Sequence, residues 1–192
     1  MPRKKNYSPD TVEEKAMMLF WKNGYKATSV RMLEEEMGIN QFSIYSSFDS
    51  KMNLFIQSLR RYRQNVRKGF LKILIESDGS IEDIRLFMNR FVDSVRTGNT
   101  PAGCLIANTA TEFGNTNELV KKELNEYYNM LEDLFLTVLE RAREKKEIKK
   151  NSDIKKSAKF LVTSTQGMAV TAKVLKDDDL RAFIDKVIEA VK

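Results

Sequence analysis

Residues 24–54 read GYKATSVRMLEEEMGINQFSIYSSFDSKMNL, and this stretch has the pattern of two short helices joined by a tight turn. Apolar residues at helical spacing run from Val30 to Met37 and lead into Gly38. Gly38 stands where such a turn needs a residue that can adopt a positive φ. A second short apolar stripe begins at Ile44. In a helix-turn-helix the second helix enters the major groove of DNA, while the first crosses the phosphate backbone. The pattern therefore predicts a DNA-binding motif.

The composition favours an all-helical fold. The chain has 192 residues, 42% of them hydrophobic, with only 3 Pro and 8 Gly. Apolar residues recur at spacings of three to four through the rest of the chain, which predicts about nine helices. The fourth is expected to run without a break from about Ser50 to Glu76. The sixth is expected to start near Ala102, with Thr100 as its cap and Pro101 at its first position.

Several classes of function are excluded by what the sequence lacks. With no His and one Cys, the chain cannot form an internal disulfide, a zinc site built from Cys and His, or a Ser-His or Cys-His catalytic pair. It also lacks a Gly-rich phosphate loop and a paired-carboxylate motif. We therefore expect no metal, no cofactor and no enzymatic activity. No apolar run approaches the roughly 20 residues of a membrane span, and no signal-peptide segment follows the basic N-terminus, so a cytoplasmic protein is expected.

The net charge of +6 is unevenly distributed. Residues 1–75 hold 14 Lys and Arg against 7 Asp and Glu, whereas residues 76–192 hold 19 against 20. The positive potential thus lies in the half with the helix-turn-helix, as phosphate binding requires. Much of the excess lies between Lys51 and Lys72, where it is equally explained by a solvated helix face. A basic arm at Arg3–Lys5 could follow the DNA backbone or be a disordered tail.

The same region resembles the tetracycline-repressor (TetR) family of bacterial transcription regulators. The resemblance is strong over residues 10–55 and mainly architectural beyond them. It implies an N-terminal three-helix DNA-binding domain, residues 1–50, and a C-terminal helical ligand-binding and dimerisation domain, residues 51–192, with the boundary inside a shared fourth helix. The matching residues are Gly24-Tyr25, Thr28-Ser29, Gly38-Ile39, Ser43, Tyr45, Phe48, Ser50-Lys51 and Leu54-Phe55.

The resemblance also implies which residues contact DNA. Tyr45 matches a phosphate-binding tyrosine, and Thr28 matches a phosphate-contacting cap, here of the second helix. Lys51 would add its charge to a helix N-terminus that already favours phosphate. On the third helix Gln41 can bind adenine, and Phe42 can press on a thymine methyl, although many relatives carry Gly at the Phe42 position. The expected DNA-contacting residues are Thr28, Asn40, Gln41, Phe42, Ser43, Tyr45, Ser46 and Lys51. Alternatively, Tyr45 is a core residue and Lys51 an ordinary surface charge.

The last two helices carry wide apolar stripes that need a packing partner. The pattern alone does not separate an intrachain core from a dimer interface. The resemblance implies that they pair across a two-fold axis, which would place two recognition helices on a palindromic operator roughly 34–36 Å apart. The expected interface residues are Leu161, Thr165, Met168, Ala169, Ala172, Leu180, Phe183, Ile184 and Val187.

The middle helices are expected to bind a small-molecule effector, because relatives do so. Cys104, Asn108, Thr111 and Glu112 form a polar stripe on an otherwise apolar helix, suited either to anchoring a ligand or to satisfying neighbouring backbone groups. The expected pocket walls, which would otherwise be plain core, are Phe87, Met88, Phe91, Tyr127, Met130 and Met168. Cys104 in the first turn of its helix also suggests a redox or electrophile switch.

These observations predict a dimeric, ligand-responsive transcriptional regulator, expected to be a repressor released from a palindromic operator by a small molecule. Two alternatives stay open. One is a redox- or electrophile-sensing regulator that acts through Cys104. The other is a helical interaction protein with a vestigial helix-turn-helix.

Overall fold

The computed structural model describes residues 8–98 and 103–192, and every regular element within these ranges is an α-helix. This confirms the predicted all-helical fold with an N-terminal helix-turn-helix. The described residues form ten helices rather than about nine. They are α1 (Pro9–Asn23), α2 (Val30–Met37), α3 (Gln41–Phe48), α4 (Lys51–Lys68), α5 (Lys72–Ile75), α6 (Ile81–Arg96), α7 (Leu105–Phe113), α8 (Glu118–Glu144), α9 (Ile154–Thr171) and α10 (Asp177–Val191).

Helices α1–α3, here called the head, form the helix-turn-helix domain, and their ends are set by local signals. Helix α2 ends at Gly38 in the left-handed conformation (φ 71°), which a side chain would disfavour. Helix α3 begins after Asn40, whose side-chain oxygen accepts a hydrogen bond from the Ser43 N–H at 2.8 Å. The head packs on α4 mainly through α1, so α4 joins the two halves of the chain.

The extra helix arises from a break in the predicted fourth helix. Helix α4 ends at Lys68, the chain turns at Gly69, and the single-turn α5 follows. Glycine is the poorest helix former after proline, and the turn places Leu71 and Leu74 in the core. The prediction of one continuous helix to Glu76 was therefore wrong.

The start of α7 also differs from the prediction. Cys104 is the N-cap residue of this helix, one position before its first turn, and it is buried. The predicted cap and first residues, Thr100, Pro101 and Ala102, lie outside the described residues, as does the N-terminal arm at Arg3–Lys5.

The C-terminal helices form one apolar core continuous with that of the head. Helix α8 packs along α9, α6 packs against α10, and α7 lies between α4, α8 and α9. Phe135 and Leu131 of α8 are fully buried at the centre. In the described parts of the chain no helix is both long and apolar enough to cross a membrane.

Candidate functional site

Helix α3 presents four exposed side chains, Gln41, Phe42, Tyr45 and Ser46, here called the recognition face. The opposite side of the helix is anchored by Ile44, which is buried in the core. Phe42 is 81% exposed, although it is large and apolar. Its side chain therefore contributes little to holding the fold, and it is available for a partner.

Two of the predicted contact residues next to the recognition face also shape α3 itself. Asn40 caps the helix through its side-chain oxygen, and the half-buried Ser43 supplies the capping N–H. The Glu34 carboxylate of α2 accepts a hydrogen bond from the Gln41 backbone N–H. The first contact stabilises the start of α3, and the second links α2 to α3 and so helps to orient the recognition face.

Thr28 does not have the predicted capping role. Ser29 caps α2 instead, because its Oγ accepts a hydrogen bond from the Met32 N–H at 3.1 Å. Thr28 is fully buried, and its hydroxyl donates to the Gly24 carbonyl oxygen at 2.6 Å. Its side chain thus satisfies a carbonyl at the end of α1, and its contact with a phosphate stays a prediction.

Lys51 is turned toward the turn between α1 and α2. Its Nζ donates to the Tyr25 carbonyl oxygen at 2.7 Å and lies 4.2 Å from the centre of the Tyr25 ring. Loss of solvent lowers the pKa of Lys51, and the nearby Glu112 carboxylate opposes that shift. The ammonium is therefore engaged within the protein, where it tethers α4 to the head.

Glu112 joins the head to the C-terminal half rather than lining a pocket. Its carboxylate accepts hydrogen bonds from the backbone N–H groups of Tyr25, at 2.9 Å, and Lys26, at 2.7 Å. These two bonds are here called the latch. Gly24 makes room for it: φ is +80°, and a Cβ there would lie 2.9 Å from Glu112 Oε2. Glu112 does not line the cavity described below, and its role in ligand binding stays a prediction.

An interior cavity of about 100 Å³ lies between α1, α4, α6, α8 and α9 beside the start of α7. Four of the predicted ligand-binding residues, Phe87, Phe91, Cys104 and Tyr127, line it. The predicted interface residues Thr165 and Ala169 also line it. Sequence reasoning missed the remaining described lining residues, which come from helices distant in sequence: Trp21, Tyr62, Val66, Phe70, Ser94, Gly103 and Gln166.

The other predicted ligand residues lie away from this cavity. Met88 and Met168 are buried in the core, and Met130 is partly buried against it. Asn108 accepts a hydrogen bond from Lys173 Nζ at 2.6 Å. Thr111 is exposed, and its hydroxyl donates to the Ala107 carbonyl oxygen at 2.9 Å. Of the four polar residues predicted to form a stripe along α7, only Cys104 lines the cavity.

The cavity is apolar and uncharged along its described lining. Burial raises the pKa of Tyr62 and of Tyr127 well above the usual range, and the adjacent Cys104 adds to the shift in both cases. Both phenols therefore stay neutral at physiological pH. The side-chain oxygen of Gln166 is buried and has no hydrogen-bond partner within residues 8–98 and 103–192.

Comparison with known families decides the identity of the fold. The model described as "Bacterial regulatory proteins, tetR family" matches residues 14–57. The model described as "Tetracyclin repressor-like, C-terminal domain" matches residues 80–188, which is more than half of the chain. The protein belongs to the TetR family. It is therefore a DNA-binding transcriptional regulator and not an enzyme.

Individual relatives align along most of this TetR-family chain. The HTH-type transcriptional repressor ComR of Escherichia coli K12 is 28% identical over 172 residues, covering 89% of this chain and 82% of ComR. The HTH-type regulator YezE of Bacillus subtilis 168 is 28% identical over 188 residues, covering 96% of each chain. Among solved structures, a cysteine mutant of the TetR-family regulator CifR, bound to 26-base-pair operator DNA, superimposes with a TM-score of 0.86. It is 25% identical and covers 99% of this chain and 100% of that one.

The predicted interface residues of this TetR-family protein are mostly buried within its own chain. Leu161, Thr165, Met168, Ala169, Ala172, Leu180, Ile184 and Val187 are all core residues, and only Phe183 is exposed. The prediction selected the inward side of α9 and α10. Their outward side carries a different apolar surface, here called the C-terminal apolar face, made of Phe160, Val170, Val174, Leu175 and Phe183.

Proposed function

We propose that the protein is a homodimeric repressor that binds a palindromic double-stranded operator through α3 and releases it when a small molecule enters the interior cavity. Residues 1–50 would form the DNA-binding domain and residues 51–192 the ligand-binding and dimerisation domain. The recognition face is the observation that carries the DNA-binding part. ComR, which is named a repressor, supports the repressor role, and CifR, which was solved with operator DNA, supports the operator as the partner.

Each member of the recognition face has a chemistry suited to DNA. Gln41 can pair bidentately with adenine, and Phe42 can contact a thymine methyl in the major groove. Tyr45 is exposed, and its hydroxyl group can donate to a phosphate oxygen, while Ser46 can donate to a phosphate or a base. Phosphate contacts would make binding depend on ionic strength. We expect affinity for duplex DNA to fall by about 10³–10⁵ between roughly 50 and 200 mM salt if six or more phosphates are contacted. A salt-independent affinity would favour a helical interaction protein instead.

The C-terminal apolar face supplies the surface for the homodimer. On α9 the exposed positions Phe160, Thr163, Gly167 and Val170 follow each other at spacings of three and four, and Val174 continues the row beyond the helix. Val174 is 84% exposed. An apolar row at this spacing is the pattern of a helix that packs on another helix, and small residues such as Gly167 allow close approach. Pairing α9 and α10 with a second copy would cover this face.

Helix α7 connects the cavity to the head at both of its ends. At the start, the Trp21 indole N–H donates to the Gly103 carbonyl oxygen at 2.9 Å, and both residues line the cavity. At the far end, Glu112 holds the α1–α2 turn through the latch. We propose that an effector beside Cys104 shifts α7 and thereby moves the head. Such an effector changes operator affinity only by its differential affinity for the two head positions.

The latch can be tested directly by replacing Glu112 with Ala. Hydrogen bonds to a charged acceptor contribute about 1.5–3 kcal/mol each, and water at the exposed turn offsets part of this. We therefore expect the Tyr25 and Lys26 amides to exchange with solvent about ten- to a hundredfold faster, measured residue by residue by NMR.

Glu118→Ala is the matched control, because this exposed carboxylate lies at the start of α8 and bonds only Lys121 among the described residues. It should leave the exchange of Tyr25 and Lys26 unchanged. Equal protection of these two amides in the Glu112→Ala variant and in the wild type would show that the latch does not hold the turn in solution.

A second candidate function is sensing of an oxidant or electrophile by Cys104, the only cysteine of the chain. The observation in its favour is the position of Cys104 in the cavity wall, which it shares with Tyr62 and Tyr127. Because Cys104 is buried, a reagent must enter the cavity to reach it.

Replacing Cys104 with Ser separates the two candidates. If the thiol is the sensor, the Cys104→Ser variant should bind operator DNA normally and lose all release by hydrogen peroxide or N-ethylmaleimide, measured by fluorescence anisotropy of labelled DNA. Release by these reagents that persists in the variant would eliminate the thiol mechanism and leave reversible ligand binding.

A further inference from the structure

We infer that the interior cavity takes a small, neutral, single-ring aromatic molecule that carries a hydrogen-bond donor, such as a phenol, and that Gln166 is the acceptor that recognises it. This inference rests on the proposed function, because it names the class of effector for the same cavity. Three features of the cavity support it: its size, the aromatic character of its walls, and a single unpartnered polar atom.

The volume limits the ligand to about one ring. An engineered apolar cavity of roughly 150 Å³ binds benzene, and the cavity here is of the same order, at about 100 Å³. Modest movement of the walls would accommodate one six-membered ring with one small substituent. A larger multi-ring effector would require the surrounding helices to separate.

The walls favour an aromatic guest. Phe70 packs edge-to-face on Phe87, with ring centres 5.4 Å apart, and on Phe91 at 5.9 Å. On another side of the cavity the Trp21 and Tyr62 rings meet edge-to-face at 4.9 Å. Edge-to-face and offset contacts are the preferred geometry of aromatic pairs, so a guest ring can extend an arrangement that the walls already have.

The lining excludes charge. No Asp, Glu, Lys or Arg is present among its described residues, and the Tyr62 and Tyr127 phenols are neutral because burial raises their pKa. Moving an ionised ligand into such a site without a partner is strongly unfavourable. A carboxylate or an ammonium compound is therefore disfavoured.

Among the described lining residues, the hydroxyl groups of Thr165 and Ser94 have hydrogen-bond partners, whereas the side-chain oxygen of Gln166 has none. Thr165 donates to the Leu161 carbonyl oxygen at 2.8 Å, and Ser94 donates to that of Phe91 at 2.8 Å. Neither tyrosine hydroxyl is among the buried atoms that lack a hydrogen-bond partner. Gln166 Oε1 remains buried without a partner in the described part of the chain. A buried acceptor without a donor is unfavourable, so a ligand O–H or N–H placed there removes that penalty.

Gln166 lines both the cavity and the molecular surface beside it. Together with Tyr128, Lys159 and Val162, it borders an open groove between α8 and α9. Because this side chain lines both spaces, the groove is the route by which we expect a small neutral molecule to reach the cavity.

The test is calorimetric titration of the full-length protein with phenol, toluene and benzoate. Phenol and toluene have nearly the same shape and differ in one hydroxyl group. We expect phenol to bind about ten- to a hundredfold more tightly than toluene, given the penalty of an unpaired acceptor, and benzoate not to bind. In Gln166→Met, which keeps the side-chain length, phenol and toluene should bind within about twofold of each other, since the acceptor is gone. Fluorescence of Trp21, the single tryptophan, reports whether the ligand occupies the cavity.

Operator binding is measured on the same samples, so that the ligand assignment of the cavity and the proposed release of DNA are tested separately. Phenol binding with the expected loss of preference in Gln166→Met supports the cavity assignment even if DNA is not released, and in that case only the proposed regulation fails. Binding of phenol and toluene with equal affinity by the wild type, tighter binding of benzoate, or no binding of any of the three overturns the assignment. Ala169→Leu, which narrows the cavity, should abolish binding of both neutral rings. If that variant does not fold, the Gln166→Met comparison decides alone.

Discussion

Replacing Val170 with Glu should convert the protein to a monomer and lower its affinity for operator DNA by about a hundred- to ten-thousandfold. Val170 is exposed at the middle of the row that α9 contributes to the C-terminal apolar face. At a two-fold interface each substitution occurs twice, so two carboxylates would be buried without partners. A monomer carries one recognition face, and it therefore loses the avidity that two linked half-site contacts provide.

This prediction is measured by light scattering for mass and by anisotropy titration for affinity. Leu119→Glu is the matched control, because Leu119 is a similarly exposed apolar residue on α8, outside the C-terminal apolar face. The control should remain a dimer with wild-type affinity. A dimeric Val170→Glu protein would place the interface elsewhere, and a monomeric one with full operator affinity would refute the two-headed mode of binding.

Replacing both Phe42 and Tyr45 with Ala should abolish specific DNA binding while leaving the fold intact. A good base contact contributes about 1–3 kcal/mol of discrimination, and each lost contact counts twice in a dimer. We therefore expect operator affinity to fall by about a hundredfold or more. Both side chains are exposed, and surface substitutions usually change the free energy of unfolding by less than about 0.5 kcal/mol.

The control variant for this double substitution combines Leu86→Ala with Leu119→Ala. It removes two exposed apolar side chains, one from α6 and one from α8. It should bind the operator normally. Tyr45→Phe is a milder substitution, because it removes only the hydroxyl group proposed to contact phosphate. It should lower operator affinity less than the double substitution does. Thermal unfolding at the same temperature for all variants would show that lost binding is not lost folding. Undiminished specific binding by Phe42→Ala, Tyr45→Ala would remove α3 as the recognition helix.

The helix-turn-helix was predictable because its signals are local. Gly38 supplies the left-handed residue between α2 and α3, and Asn40 supplies the cap of α3, so both ends could be located from neighbouring residues. At the start of α2, two adjacent cap residues compete. The sequence favoured Thr28, whereas Ser29 takes the cap, because the Thr28 hydroxyl satisfies the Gly24 carbonyl.

The face of α9 and α10 that packs inside the chain could not be predicted from periodicity. Both helices carry apolar residues on two sides. The wider stripe, with Leu161, Leu180 and Ile184, fills the core of its own chain. The sparser outward row, with Val170 and Val174, is left exposed. Helical spacing identifies a stripe, but only the three-dimensional packing shows which neighbour covers it.

The latch and the cavity depend on contacts between residues far apart in sequence. Glu112 meets Tyr25 across 87 positions, and Trp21 meets Gly103 across 82. The sequence shows Glu112 as a polar residue on a mainly apolar helix. Its partners are backbone N–H groups, which no pattern of side chains reveals. The motif residues Gly24 and Tyr25 gain an explanation in the structure, since they form the surface that Glu112 binds.

The most direct test of DNA recognition is selection of bound sequences from a random duplex pool, with the wild-type protein and with the Phe42→Ala, Tyr45→Ala variant in parallel. A dimer that reads DNA with α3 should enrich a palindrome whose half-sites lie about one helical turn or a small multiple of it apart. The variant should enrich no sequence under the same conditions. Enrichment of the same palindrome by both proteins, or of no sequence by the wild type at low salt, would contradict operator recognition by α3.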